Sequence, residues 1–214
     1  MSTLKLTGSS SGEAEVTVAA AAGTPTITLP TASINLATAG TDGQFLKTNG
    51  SGTLSFTDAP GGLFSNYALV VDQKTQATDG GDFVKDVWQT RALQTEYDHD
   101  GIVSISSNKF TLAAGNYLIT WSCPAYKADK NTSRLYDVTN TAVISPVGST
   151  EHAGTSTAIQ VRSTGAARVT PSGSTEYRIE HKSAATRSGN GFGFAANMTS
   201  HPEIYTIVEI YKEA

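Results

Sequence analysis

Residues 110–121 read Phe-Thr-Leu-Ala-Ala-Gly-Asn-Tyr-Leu-Ile-Thr-Trp. Apolar side chains fall on every second position, a Gly-Asn break follows, and an aromatic and β-branched run resumes the alternation. That pattern predicts a short strand, a tight turn at Gly115 and a second strand. Similar units recur through the rest of the chain, at residues 67–71, 87–91, 102–106, 133–136, 142–145, 159–161, 167–169, 176–180, 192–194 and 204–211. Gly and Ser separate them, and no segment carries a convincing helical period. Roughly ten short strands at this spacing predict an all-β fold, a two-sheet antiparallel jelly-roll sandwich.

Residues 1–60 have a different texture. They hold Phe45 and Phe56 but no Tyr, Trp, His, Arg or Cys. Apolar pairs at period two recur in Leu4-Lys-Leu6, Val16-Thr-Val18, Ile27-Thr-Leu29 and Ile34-Asn-Leu36. A strand with two apolar side chains cannot bury them alone, so neighbouring strands must cover them. Asn49-Gly50 between two short alternating runs predicts a hairpin. Ala59-Pro-Gly-Gly62 reads as a hinge, because Pro60 ends a ladder and Gly frees the backbone. The expected organisation is a β-rich arm over 1–60 and a sandwich over 61–214. The composition of the arm also fits a flexible segment; the regular apolar pairs favour an ordered, intertwined one.

Only 16% of residues are charged and the formal net charge is -4. With 15 Lys and Arg scattered among 19 acids, no nucleic-acid footprint is present. Cys123 is the sole cysteine, so stability must come from packing or association. Neither the start of the chain nor the run at 18–22 has the length of a signal core or a membrane span, and the chain is expected to fold in a cytoplasm.

The order Trp88-Gln-Thr-Arg91, Asp100-Gly-Ile-Val103, Phe110-Thr-Leu, Ala114-Gly-Asn-Tyr117, Arg134-Leu-Tyr136, Gly191-Phe-Gly-Phe194 and 203–211 carries a resemblance. Residues 67–211 resemble the trimeric jelly roll of the tumour-necrosis-factor and complement globular-head superfamily, more narrowly its form in tailed-bacteriophage structural proteins. Leu6-Thr-Gly-Ser-Ser10, Thr26-Ile-Thr-Leu-Pro30 and residues 43–56 resemble phage appendage proteins. The resemblance implies a homotrimer on the outside of a virion.

The last strand is apolar on both parities. Ile204, Thr206, Val208 and Ile210 alternate with Tyr205, Ile207, Glu209 and Tyr211. One set fills the core. The other, with Tyr205, Ile207 and Tyr211, is expected between protomers, unless a loop or the arm covers it within one chain.

Chemistry is sparse. Asp98-His99-Asp100 has the residue types of an ion site, but an extended segment puts His99 opposite the two acids, and a polar turn is the simpler reading. Asp79, Asp82 and Asp86 read as turns. His152, His181 and His201 stand alone and are expected in loops or at the surface. Cys123 is expected as a buried structural thiol. Trp88, Trp121, Tyr97, Tyr126 and Tyr136 suit a core or a seam better than a saccharide platform. No catalytic residue, cofactor or metal is expected.

Two functions remain. The first is a trimeric capsid decoration protein, held on the major capsid protein or another virion component by arm residues Ile27, Leu29, Ile34, Leu36, Phe45 and Phe56. The second is a short head or tail fibre. Its distal loops, with Tyr126, Lys127, Lys130, Glu151, His152 and Arg187, would recognise a host-surface glycan or protein.

Overall fold

The computed structural model describes residues 3–7, 13–17, 41–48, 54–59 and 61–214. The chain divides into two compact units, Met1–Pro60 and Gly61–Ala214. Within the first, β1 (Thr3–Thr7) pairs with β2 (Glu13–Thr17), and β3 (Gln44–Thr48) pairs with β4 (Leu54–Asp58), both antiparallel. Leu46 lies opposite Phe56, so these two share a face of the second hairpin while Phe45 takes the other. Ile27, Leu29, Ile34, Leu36 and the Asn49-Gly50 turn lie outside the described residues.

The second unit begins with β5 (Phe64–Lys74), β6 (Gln89–Thr90), β7 (Thr95–Asp98), β8 (Val103–Ser106) and β9 (Lys109–Leu112). It continues with β10 (Tyr117–Tyr126), β11 (Lys130–Asp137), β12 (Ala142–Val143) and β13 (Thr150–His152). β14 (Gln160–Val169), β15 (Thr175–Ser183) and β16 (Glu203–Glu213) complete it. A five-stranded sheet runs β14-β10-β16-β5-β7. A seven-stranded sheet runs β12-β11-β15-β9-β8, with β13 joined to β11 and β6 to β15. From β9 onward the long strands alternate between the sheets: β9, β11 and β15 in one, β10, β14 and β16 in the other. That exchange is the jelly-roll path, and no described residue is helical.

The alternation read from the sequence builds the core directly. Tyr117, Ile119, Trp121 and Cys123 face inward from β10, with Val208 and Ile210 from β16 and Ala68 and Val70 from β5. Phe110, Leu112, Leu135, Tyr177 and Ile179 meet them from the other sheet. Burying each large apolar side chain contributes about 1.5–3 kcal/mol. Ser107 and Asn108 both have positive φ, the torsions of a two-residue hairpin turn between β8 and β9. One expected strand is absent and one is shortened: residues 192–194 form a loop, and the run at 87–91 is a strand only over Gln89–Thr90.

One end of the interior is polar. Arg91 is fully buried; it donates from Nε to Thr206 Oγ1 (2.8 Å), from Nη1 to the Pro124 carbonyl (3.3 Å) and from Nη2 to the Phe192 carbonyl (2.8 Å). Its guanidinium lies 4.0 Å from the Phe192 ring centroid. Burial lowers its pKa to about 10, against the opposing pull of Cys123 and Asp72. The Asp72 carboxylate, equally buried, has Lys74 Nζ 3.3 Å away but no hydrogen bond.

His181 corrects an expectation: it is fully buried, not in a loop or at the surface. Its Nε2 meets Asn131 Oδ1 at 3.0 Å, Phe83 packs edge-on at 4.8 Å, and Nδ1 has no partner. Burial first, then the nearby Arg91, hold its pKa well below 6.5. The unfolded imidazole protonates near 6.5 while the folded one stays neutral. This contribution is therefore complete above that pH and is lost as the pH falls below it. Between pH 7 and pH 5 the urea-unfolding free energy should drop by up to about 2 kcal/mol from this residue. His181→Gln should flatten that part of the profile; an unchanged slope would show that another group governs it.

Candidate functional site

The inner face of the five-stranded sheet is the core, and its outer face carries aromatic and aliphatic side chains among polar ones. Strand register arranges that face in rungs. Tyr67, Tyr211, Leu118 and Arg168 form one; Tyr97, Leu69, Glu209, Thr120 and Ala166 form the next; Ile207, Ser122 and Thr164 lie on a third. Phe64 and Tyr67 pack on either side of Tyr211, with centroids at 5.1 and 5.0 Å, and make an aromatic ridge. Beside it, short side chains leave a hollow of about 500 Å³ lined by Thr120, Ser122, Thr164, Ala166, Ile207 and Glu209.

Glu209 stands between ridge and hollow, and side chains of the same chain satisfy it. Thr120 Oγ1 donates to Oε2 at 2.9 Å and Tyr67 Oη to Oε1 at 3.3 Å. Burial and then the Glu209 charge push the Tyr67 phenol up to about 12. At the sheet edge, Arg168 grips Glu213 through two bonds of 2.6 and 2.7 Å.

The expected seam residues divide. Ile207 and Tyr211 lie on this face, half-buried. Tyr205 does not: it is 2% exposed. Its ring covers Gly193, where an added Cβ would come within 2.2 Å, and its hydroxyl donates to the Thr78 carbonyl at 2.7 Å. The cause is a bulge. Ile204 pairs with Gln73 and Ile207 with Val71, so β16 carries one extra residue and its parity reverses. Ile204, 38% exposed, takes the outward place expected of Tyr205. Tyr67, Leu69, Leu118 and Phe64 complete the face. The alternation of Tyr67 and Leu69 is visible in the sequence, but its union with β10 and β16 depends on register.

The loop residues divide as well. Tyr126 ends β10, is only 9% exposed and stacks on Phe194 at 4.9 Å, so it is no free loop tip. Lys127 and Arg187 both approach its ring at 5.6 Å. Lys130, Glu151 and His152 instead line a separate groove with Trp88 on the seven-stranded sheet. On the arm, Phe45 and Phe56 are 40% and 38% exposed.

The polar motifs have local structural roles. Asp98 accepts the backbone N–H groups of Asp100 (3.2 Å) and Val103 (2.7 Å), which closes the turn before β8. Asp82 accepts from the Gly189 backbone, and Asp79 from Ala195 N at 2.8 Å. Cys123 is fully buried; desolvation pushes its thiol up to about 11, despite Arg91 and Arg162 nearby. Among the described residues no group of three or more His, Cys, Asp or Glu side chains is placed to hold a metal ion.

No protein-family model matches the chain, and no curated protein matches it. Among solved structures, murine APRIL at pH 8.0 matches with 9% identity and a TM-score of 0.45 over 69% of this chain and 98% of that one. Murine APRIL at pH 8.5 matches with 9% identity and a TM-score of 0.42, over 69% and 99%. APRIL is a jelly-roll ligand of the tumour-necrosis-factor family.

Proposed function

We propose that this protein is a non-enzymatic structural subunit. It assembles as a homotrimer through the outer face of its five-stranded sheet and serves as a decoration protein on a bacteriophage head. The observation that carries the assembly is the pairing of ridge and hollow on one face. A self-complementary patch makes a twofold dimer. A protrusion and a recess side by side can also meet head to tail, and such contacts close into a ring when the rotation allows. The Phe64, Tyr67 and Tyr211 ridge of one copy would fill the hollow at Thr120, Ser122 and Ile207 of the next. Glu209 is no obstacle, because its own protomer already supplies its hydrogen bonds. The count of three follows from the sequence resemblance.

The virion role rests on that resemblance and on the division into an arm and a sandwich. A protein that binds only the assembled shell stabilises it by mass action, and three arms on one trimer bind with avidity. In this reading Phe45 and Phe56, with the apolar pairs of the arm, contact the shell while the sandwich projects.

Light scattering on the eluting protein tests the assembly. The expected mass is about 67 kDa, three times the 22.3 kDa chain. Ile207→Glu places a second acid beside Glu209 and should release a folded 22.3 kDa monomer. A wild-type monomer at micromolar concentration would refute the assembly. Electron microscopy of particles with and without the protein tests the location; a wild-type trimer absent from the head would refute that part alone.

A further inference from the structure

We infer a second site, a saccharide-binding groove on the outer face of the seven-stranded sheet that selects sugars carrying a carboxylate. It lies on the opposite sheet from the association face and does not depend on it. The groove has a volume of about 660 Å³, within the roughly 300–1,000 Å³ of small-ligand sites.

Three strands and one loop build it. β13 and β15 flank the start of β11, so Thr150, Thr132 and Lys182 share one rung. His152 lies opposite Lys130 on the next. Asp86 and Trp88 come from the segment before β6 and form the far wall. Trp88 is half-buried and fixed, because the Arg134 guanidinium lies 3.9 Å from its ring centroid. Arg134 is itself held by Glu180 (2.6 Å to Nη2), which is 2% exposed and also binds Arg178. The aromatic wall is therefore a rigid platform.

The polar groups decide the ligand. Lys130 and Lys182 are diagonal neighbours on one face, and neither has an ion-pair or hydrogen-bonded side-chain partner among the described residues. Two unspent ammonium groups beside each other favour an anion. A compact anion of low charge suits the groove best, because the Asp86 carboxylate shares it. Asp86 has no side-chain partner among the described residues. Glu151 pairs with the buried Asn131, so its carboxylate turns to the other face of the sheet, where it accepts the Ser149 hydroxyl at 2.8 Å. His152 is occupied with Asp129 at 3.0 Å. A phosphate-rich ligand would meet Asp86 in repulsion. Sugar hydroxyls instead donate to the Asp86 carboxylate, and the Thr132 and Thr150 hydroxyls serve as either donor or acceptor. A pyranose ring presents an apolar C–H face suited to Trp88. Ring, hydroxyls and one carboxylate together describe a uronic or sialic acid residue within an oligosaccharide.

Tryptophan emission reads the site, because the chain has two Trp residues and Trp121 is 3% exposed in the core. The full-length protein in its native assembly is titrated with sialyllactose and with trigalacturonate, and in parallel with lactose and maltotriose. Expected is saturable quenching by at least one carboxylated sugar, with affinity at least tenfold above its neutral counterpart. Lys130→Gln/Lys182→Gln changes two surface groups only; it should abolish that preference while the thermal midpoint stays within a few degrees. Trp88→Phe, followed by saturation-transfer NMR on the sugar, should weaken binding severalfold. The inference is overturned if neither acidic sugar binds the wild type, if neutral and acidic sugars bind equally, or if the double Lys variant binds unchanged.

Discussion

Arg91→Ala should lower the free energy of unfolding by about 3–5 kcal/mol, the loss typical of breaking a fully buried charged network. Three acceptors lose their donor at once: Thr206 Oγ1 and the Pro124 and Phe192 carbonyls, which come from β16, β10 and the loop before β16. Each stranded buried acceptor costs about 1–3 kcal/mol, and the vacated volume adds a cavity penalty. The Phe192 ring also loses its cation partner. Arg91→Met separates these effects. It loses the same charge and hydrogen bonds but refills most of the volume, so its loss should be clearly smaller than that of the alanine variant. Urea unfolding followed by far-ultraviolet circular dichroism measures both. Equal losses would mean that the hydrogen bonds dominate and packing contributes little. A loss under about 1 kcal/mol for alanine would mean that solvent reaches the site.

Gly165→Ala is the second large effect, expected near 3 kcal/mol. Gly165 lies directly opposite Trp121 across the β10–β14 pair, and the indole lies over it. An added Cβ would sit 2.1 Å from Trp121 Cζ2 and 2.4 Å from Cε2. The indole cannot swing aside cheaply, because Nε1 donates to Ser133 Oγ at 2.8 Å and the ring is 3% exposed in the core. Ser133 is tied in turn to Ser163 at 2.7 Å. Shrinking the partner should relieve the clash. Gly165→Ala/Trp121→Leu should be less destabilised than the sum of its single variants by more than about 1 kcal/mol. Strict additivity would place the strain somewhere other than this contact.

The sequence was most legible where alternation and turn chemistry agree. The β8–β9 hairpin is an example, because Val103, Ile105, Phe110 and Leu112 alternate around a Ser-Asn pair able to take positive φ. It was least legible in β16. Ile204, Tyr205, Ile207 and Tyr211 make both parities apolar, so nothing in the pattern reveals the bulge that sends Tyr205 inward. Residues 192–194 imitate a strand by alternation, yet Gly193 has φ of 146° and receives the Tyr205 ring, which places it in a loop. Arg91 gave no sign of its burial, since the residue type is almost always exposed and its acceptors come from distant segments. The groove was half-visible. Lys130, Glu151 and His152 belong to segments read as loops, whereas Thr132 and Lys182 join them only through the pairing of β11 with β13 and β15, and Trp88 through that of β6 with β15.

The extra residue in β16 also insulates the two ends of the sandwich from each other. Upstream of it, Glu203 and Tyr205 serve the end where Thr78 and Gly193 pack. Downstream, Val208 aligns with Val70 and Trp121, and Tyr211 with Tyr67 and Leu118. A slip in phase at one end is absorbed at the irregularity and does not propagate along the ladder. Changes in the loops upstream of the bulge can therefore leave the register of the outer face below it in place.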